Sequence, residues 1–110
     1  PHVEILTKQA RDMLHPFIPL EQHVTQSSLL GTFIIGLYQS DLELIRHSLR
    51  DVIIESQRAP LIPHFYEVKE AALQAGALGC SISGSGPSIF ALCPNSLIAE
   101  NCGEAMARIY

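Results

Sequence analysis

Residues 81–92 read SISGSGPSIFAL, and the order of the whole chain follows from how they fold. Two β-rich runs, 78–83 and 88–93, flank Gly84, Ser85, Gly86 and Pro87. The spacing predicts an antiparallel hairpin with a four-residue glycine loop. Glycine on both sides of Ser85 permits positive φ angles and lets a ligand or another backbone come close, because no Cβ stands in the way. Pro87 removes an N–H and fixes φ, which gives the turn one exit. Phosphate cradles of the dinucleotide and P-loop kinds place their glycines before a helix, where free N–H groups and the helix dipole face the anion. This loop leads instead into SIFALC, a strand, so the residues alone describe a tight turn.

Before the hairpin, residues 2–6 alternate, with Val3 and Ile5 on one face, as in a half-buried strand. Thr7 is placed to cap a helix running to Leu14, and Pro16 and Pro19 end the pattern. Thr7 and Arg11, four apart, share a face of that helix. A second helix spans 20–38, polar at first around His23, Thr25 and Gln26, then apolar nearly all round from Leu29, which predicts burial. Ser27, Ser28 and Gly31 are small enough for close packing, and His23 is expected to face solvent. Ser40 to Glu43 reads as a capping box opening a third helix, whose Leu42, Ile45, Leu49, Val52 and Ile53 face the core while His47 is exposed. Residues 55–63 read as a loop denied helix continuation by Pro60 and Pro63. Arg58 is its single cation, anchored by Leu61 and Ile62, and can offer its planar fork to a carboxylate or phosphate. A fourth helix over 63–75 turns Phe65, Val68 and Ala72 inward and stops at Gly76. Beyond the hairpin, Pro94 and Asn95 open a last helix with Ile98, Cys102, Ala105, Met106 and Ile109 at helical spacing. Strand, helices, hairpin and helix in that order predict an α+β fold, a small antiparallel sheet covered by helices.

Composition limits the function classes. The 110 residues make one domain, 47% hydrophobic, and a domain of this size buries roughly 65% of the surface its unfolded chain exposes. Seven basic residues against eleven acidic ones, a net charge of −4, are spread without blocks, which argues against nucleic acid or an anionic membrane as partner. Cys80, Cys93 and Cys102 are odd in number and lack metal-ligand spacing, so reduced thiols in a cytoplasmic protein are expected, with no metal site. The longest apolar run, 29–38, falls short of the roughly 20 residues a bilayer needs. The start at Pro1 and the stop at Tyr110 inside a helical pattern read as the ends of a piece of a longer protein.

The string 81–92 resembles the C-terminal glycine motif of the GHMP small-molecule kinases, and within it residues 84–88 are closest to the homoserine kinase branch. EILTKQARDML (4–14) is similar to that branch's T-K-x-A-R segment, and DVIIESQRAPLIPHF (51–65) to its D-x-x-x-E-P-x-R-x-x-L-I-P segment. The resemblance implies that residues 1–110 form a ferredoxin-like C-terminal domain. It implies that Thr7, Arg11, Arg58 and Gly84 line the pocket for L-homoserine, the arginines meeting its carboxylate and the loop Ser83, Gly84, Ser85, Gly86 and Pro87 approaching it. Ser56 replaces the family's proline, and Thr25 and Gln26 stand where relatives carry His then Asn, which leaves Gln26 as the stand-in polar contact. The family's phosphate loop P-x-x-x-G-L-G-S-S-A and its acidic residue do not occur here. The resemblance therefore assigns ATP and Mg²⁺ to an N-terminal ATP-binding domain of the same longer chain. No catalytic residue, cofactor or activity is expected of residues 1–110 alone. A closing strand is expected beyond Tyr110, and a homodimer is compatible with this reading. Two alternatives stand beside a role in threonine biosynthesis. One is another GHMP kinase, for an isoprenoid-pathway alcohol; Arg11 and Arg58 argue against it, since such substrates lack an α-carboxylate. The other is a non-enzymatic α+β module that binds an amino acid.

Overall fold

In the computed structural model, which describes all 110 residues, the expected hairpin forms from β1 (Gly79–Ile82) and β2 (Ile89–Leu92), antiparallel, with Gly79 opposite Leu92 and Ile82 opposite Ile89. Backbone bonds from Leu78 N–H to the Leu92 carbonyl (2.7 Å) and from Ser83 N–H to the Ser88 carbonyl (2.8 Å) lengthen the ladder at both ends. The turn uses both glycines at positive φ, +61° at Gly84 and +83° at Gly86, a conformation that costs a residue with a Cβ about 1 kcal/mol or more.

Alternation along the strands decides what each face of the hairpin meets. Cys80, Ile89 and Ala91 turn toward α5 (Phe65–Gln74) and α6 (Ser96–Ala107), where Ala72, Ala77 and Cys102 complete a buried cluster. A second cluster of Ala59, Ile62 and Phe65 carries Ile5, Ile82 and Ile89. Phe65, Val68 and Ala72 are buried as their spacing predicts, and Gly76 leaves α5 at φ +109°. Asn95 caps α6, its side-chain oxygen accepting from Ile98 N–H at 2.9 Å. The opposite face of the hairpin presents Ser81 and Phe90 to a 350 Å³ cavity against α2 (Leu20–Gln39) and residues 48–51. The fold is therefore α+β, six α-helices around one two-stranded sheet.

Several local expectations are corrected. Residues 2–6 are not a strand, because no neighbouring strand offers them a ladder. Thr7 is the first residue of α1 (Thr7–Asp12), not its cap; Leu6 holds the cap position without a side-chain bond. Ser40 does not cap α3 (Leu42–Ser48), because at φ 53° it is already spent on the left-handed turn that ends α2. Asp41, in extended conformation, caps instead, its carboxylate accepting from Glu43 and Leu44 N–H, each at 3.1 Å. Gly36 lets α3 approach α2 closely: a Cβ there would lie 3.0 Å from the Ile45 side chain. The third helix stops at Ser48 rather than running to Ile53, since Leu49 leaves the helical region. Residues 55–63 are mostly helical, as α4 (Glu55–Arg58) followed by a 3₁₀ turn at Ala59–Leu61. Pro60 falls in the first turn of that 3₁₀ helix, where its missing N–H breaks nothing. The largest correction concerns α2: Leu29 and Gly36 are buried, but Leu30, Ile34, Ile35, Leu37 and Tyr38 are exposed, because within this chain α2 packs chiefly on α3 alone.

Candidate functional site

Three sequence segments meet at the Arg58 guanidinium. Nε donates to the Ala10 carbonyl of α1 and Nη1 to the Gly84 carbonyl of the glycine loop, each at 3.3 Å. Arg58 is half-buried, Ala10 is fully buried, and the adjoining Arg11 is exposed on α1 with Thr7 one turn before it. None of the chain's four ion pairs uses Arg11 or Arg58. Arg58 is thus fixed by neutral acceptors, which orient its fork without cancelling its charge. Of the five N–H donors of a guanidinium, two are engaged and three remain for a ligand. Beside this fork, a Cβ built on Gly84 would meet nothing within 4 Å, so the loop borders open space.

The placement of Arg58 depends on how α4 is held. Asp51 anchors its start: Oδ1 accepts from Ile53 N–H (2.8 Å) and Ile54 N–H (2.9 Å), and Oδ2 from Glu55 N–H (3.1 Å). Gln26 braces the same turn, donating from Nε2 to Asp51 Oδ1 (3.1 Å) and accepting Val52 N–H at Oε1 (2.9 Å). Both ends of that amide are occupied within the chain, and Gln26 lines the 350 Å³ cavity beside His23. The structure therefore brings the helix that carries Thr7 and Arg11 to Arg58 and Gly84 through the Ala10 carbonyl and ties Gln26 to that neighbourhood only through the Asp51 turn.

Sequence reasoning passed over Glu55. Its carboxylate is buried, accepting from Lys69 Nζ at 2.9 and 2.8 Å and from the Ser81 hydroxyl at 2.7 Å. The Asp51-to-Glu55 spacing was visible in the sequence, but the partners lie 14 and 26 residues away, beyond any local pattern. With Asp51 and Glu55 both occupied, no free carboxylate of this segment competes for the arginines.

The arrangement suits binding an anion and shows no activated nucleophile. Burial pushes the Cys80 thiol up to about 11, with Lys69 pulling the other way and Glu55 adding to the rise. No group of three or more His, Cys, Asp or Glu side chains is assembled to hold a metal ion.

The model of the family described as GHMP kinases C terminal matches residues 31–110. A homoserine kinase of Chlorobium phaeobacteroides strain BS1 is 55% identical over all 110 residues, and one of Chlorobaculum tepidum 52% identical. A solved structure of homoserine kinase from Cytophaga hutchinsonii superimposes with a TM-score of 0.96 at 52% identity, over 98% of this chain and 34% of that one. The chain likewise spans 34% of the length of the curated relatives it matches.

Proposed function

Because the chain belongs to the GHMP kinases, we propose that the protein containing it transfers the γ-phosphoryl group of ATP to the hydroxyl of L-homoserine. The product is O-phospho-L-homoserine, on the route to threonine in the cytoplasm. Residues 1–110 form the C-terminal domain of that enzyme and one wall of its amino-acid site, and by themselves they catalyse nothing.

The observation that carries this reading is the Arg58 fork, held by the Ala10 and Gly84 carbonyls with its charge intact. An α-carboxylate placed on the remaining donors is bound bidentately, which fixes orientation as well as position. Arg11, on the same helix as Ala10, supplies the second cation and Thr7 a hydroxyl. At Gly84, where no side chain intervenes, the loop backbone can reach the amino acid. Phosphoryl transfer is then a matter of holding the acceptor hydroxyl in line with the nucleotide. The family's phosphate loop does not occur in residues 1–110, and ATP and Mg²⁺ are accordingly assigned to the part of the longer protein outside this chain.

Titration of the full-length protein with L-homoserine, with and without a non-hydrolysable ATP analogue, tests the reading. Binding of L-homoserine, with no heat from an isoprenoid-type alcohol lacking an α-carboxylate, is the expected result. Binding of that alcohol and not of L-homoserine would move the protein to another branch of the same kinases. Silence toward both would leave a non-enzymatic module.

A further inference from the structure

Two ties connect α4 to β1 and its loop, and they run in step. Glu55 and Arg58 are three residues apart on one side, and Ser81 and Gly84 three apart on the other: Glu55 accepts from Ser81 at 2.7 Å, and Arg58 donates to Gly84 at 3.3 Å. The outer tie lies at the surface beside the open space. The inner one is buried, ionic, and shared with α5 through Lys69. We propose that Glu55 is a positioning residue, whose buried bonds to Ser81 and Lys69 set the Arg58 guanidinium against the glycine loop; its effect on substrate rests on the reading of Arg58 above.

The physical case begins with the length of α4. Four residues cannot hold helical geometry by themselves, since nucleation alone is unfavourable. Its orientation must come from tertiary bonds, and those present are the Asp51 turn just before its start, the Glu55 clamp, the bond from His15 N–H to the Gln57 side-chain oxygen at 2.7 Å and the two bonds of Arg58 itself. Asp51 bonds the first backbone N–H groups of this segment and so fixes where α4 begins, but it does not reach β1. Glu55 alone joins α4 to both β1 and α5 by side-chain bonds. A carboxylate buried this deeply is held by short, geometrically demanding bonds, because any departure from its cationic partner leaves a charge without compensation. Arg58, one turn along the same helix, inherits that rigidity.

The test uses the full-length protein and two variants. Glu55→Gln keeps the side chain's size and removes its charge; Ser81→Ala cuts only the tie to β1 and leaves the ion pair. The first readout is the set of ¹⁵N signals of the Arg58 guanidinium, Nε–H held by the Ala10 carbonyl and Nη–H held by the Gly84 carbonyl, assigned by their loss in Arg58→Lys, and their rates of exchange with solvent. The second is the pair of dissociation constants for L-homoserine and a non-hydrolysable ATP analogue. In both variants the exchange is expected to accelerate by about tenfold or more, as a charged hydrogen bond loosens. L-homoserine affinity should fall by about tenfold while nucleotide affinity stays within about twofold. Unchanged Arg58 exchange in the folded variants, or equal losses for both ligands, would overturn the assignment. If Glu55→Gln fails to fold, Ser81→Ala decides by the same readouts. If the wild type does not bind L-homoserine, the kinase reading falls, and the Arg58 signal still judges the positioning role.

Discussion

Arg58 combines a fixed geometry with an uncancelled charge, and that combination makes its replacement diagnostic. On the proposed function, Arg58→Ala in the full-length protein should raise the KM for L-homoserine by about tenfold or more, the worth of a charge-assisted bond, with the KM for ATP unchanged. Arg58→Lys should recover only part of the loss, since an ammonium cannot span both carbonyls and a carboxylate as a fork does. Steady-state kinetics with each substrate varied in turn checks both. Gly84 separates strain from contact: Gly84→Ala meets no atom within 4 Å, so its cost to folding should be only the left-handed φ, about 1 kcal/mol. Any drop in L-homoserine affinity of the folded variant then measures how near the ligand lies to the loop. The thiols respond to pH in one direction. Burial raises Cys80 from 9.0 to about 11, and Cys93 likewise, aided by the neighbouring Cys102 thiol. The unfolded chain therefore releases these protons before the folded one does. Their contribution to stability is complete below pH 9 and declines as pH rises toward 11. Urea midpoints across that range should fall, and at pH 8 Cys80 should resist iodoacetamide while the protein is folded.

Among the helices, α4 best shows how an element too short to persist alone is made by its surroundings. Asp51 takes three backbone N–H groups at its start and a fourth donor from Gln26. Asp51→Ala should therefore cost about 2 kcal/mol, comparable to the upper end for a helix cap, measured by urea denaturation. On the proposed function, L-homoserine binding should weaken with it as α4 frays, and a variant with full affinity would show that α4 does not need the Asp51 turn to place Arg58. The capping residues also illustrate what could be read in advance. Asn95 was legible before α6 because nothing else claimed it. Ser40 fits the capping pattern before α3, but the end of α2 has prior use of its backbone, so Asp41, one residue on, caps instead.

The molecule as a whole is a slab of 39 × 34 × 17 Å with a radius of gyration of 14.6 Å, against about 13 Å for a globule of this length. Only 16 of 110 residues are buried, so much of the apolar composition lies at the surface. Leu30, Ile34 and Leu37 fall along one side of α2, all at least 45% exposed. A contiguous apolar stripe of this kind drives association. A polypeptide of residues 1–110 should show concentration-dependent sedimentation, and Leu30→Lys with Ile34→Lys should return it to a monomer with unchanged far-ultraviolet circular dichroism. Sedimentation independent of concentration in the parent polypeptide would contradict this.

The hairpin, its glycine loop, α5 and α6 follow from local pattern, because turn chemistry, helical spacing and capping act over a few residues, and residues 81–92 contain all that their own conformation requires. The family motifs that single out Arg11, Arg58 and Gly84 are likewise local strings. What no local string contains is which surfaces find partners. Whether 2–6 pairs as a strand depends on a neighbour being there. Whether α2 is covered depends on what lies beyond α3. Whether Glu55 is a solvated surface charge or a buried clamp depends on Lys69 and Ser81, brought to it from 14 and 26 residues away. Composition and short-range geometry settle the elements of this protein, whereas burial and charge pairing, being properties of contacts between distant segments, exist only once the chain has closed on itself.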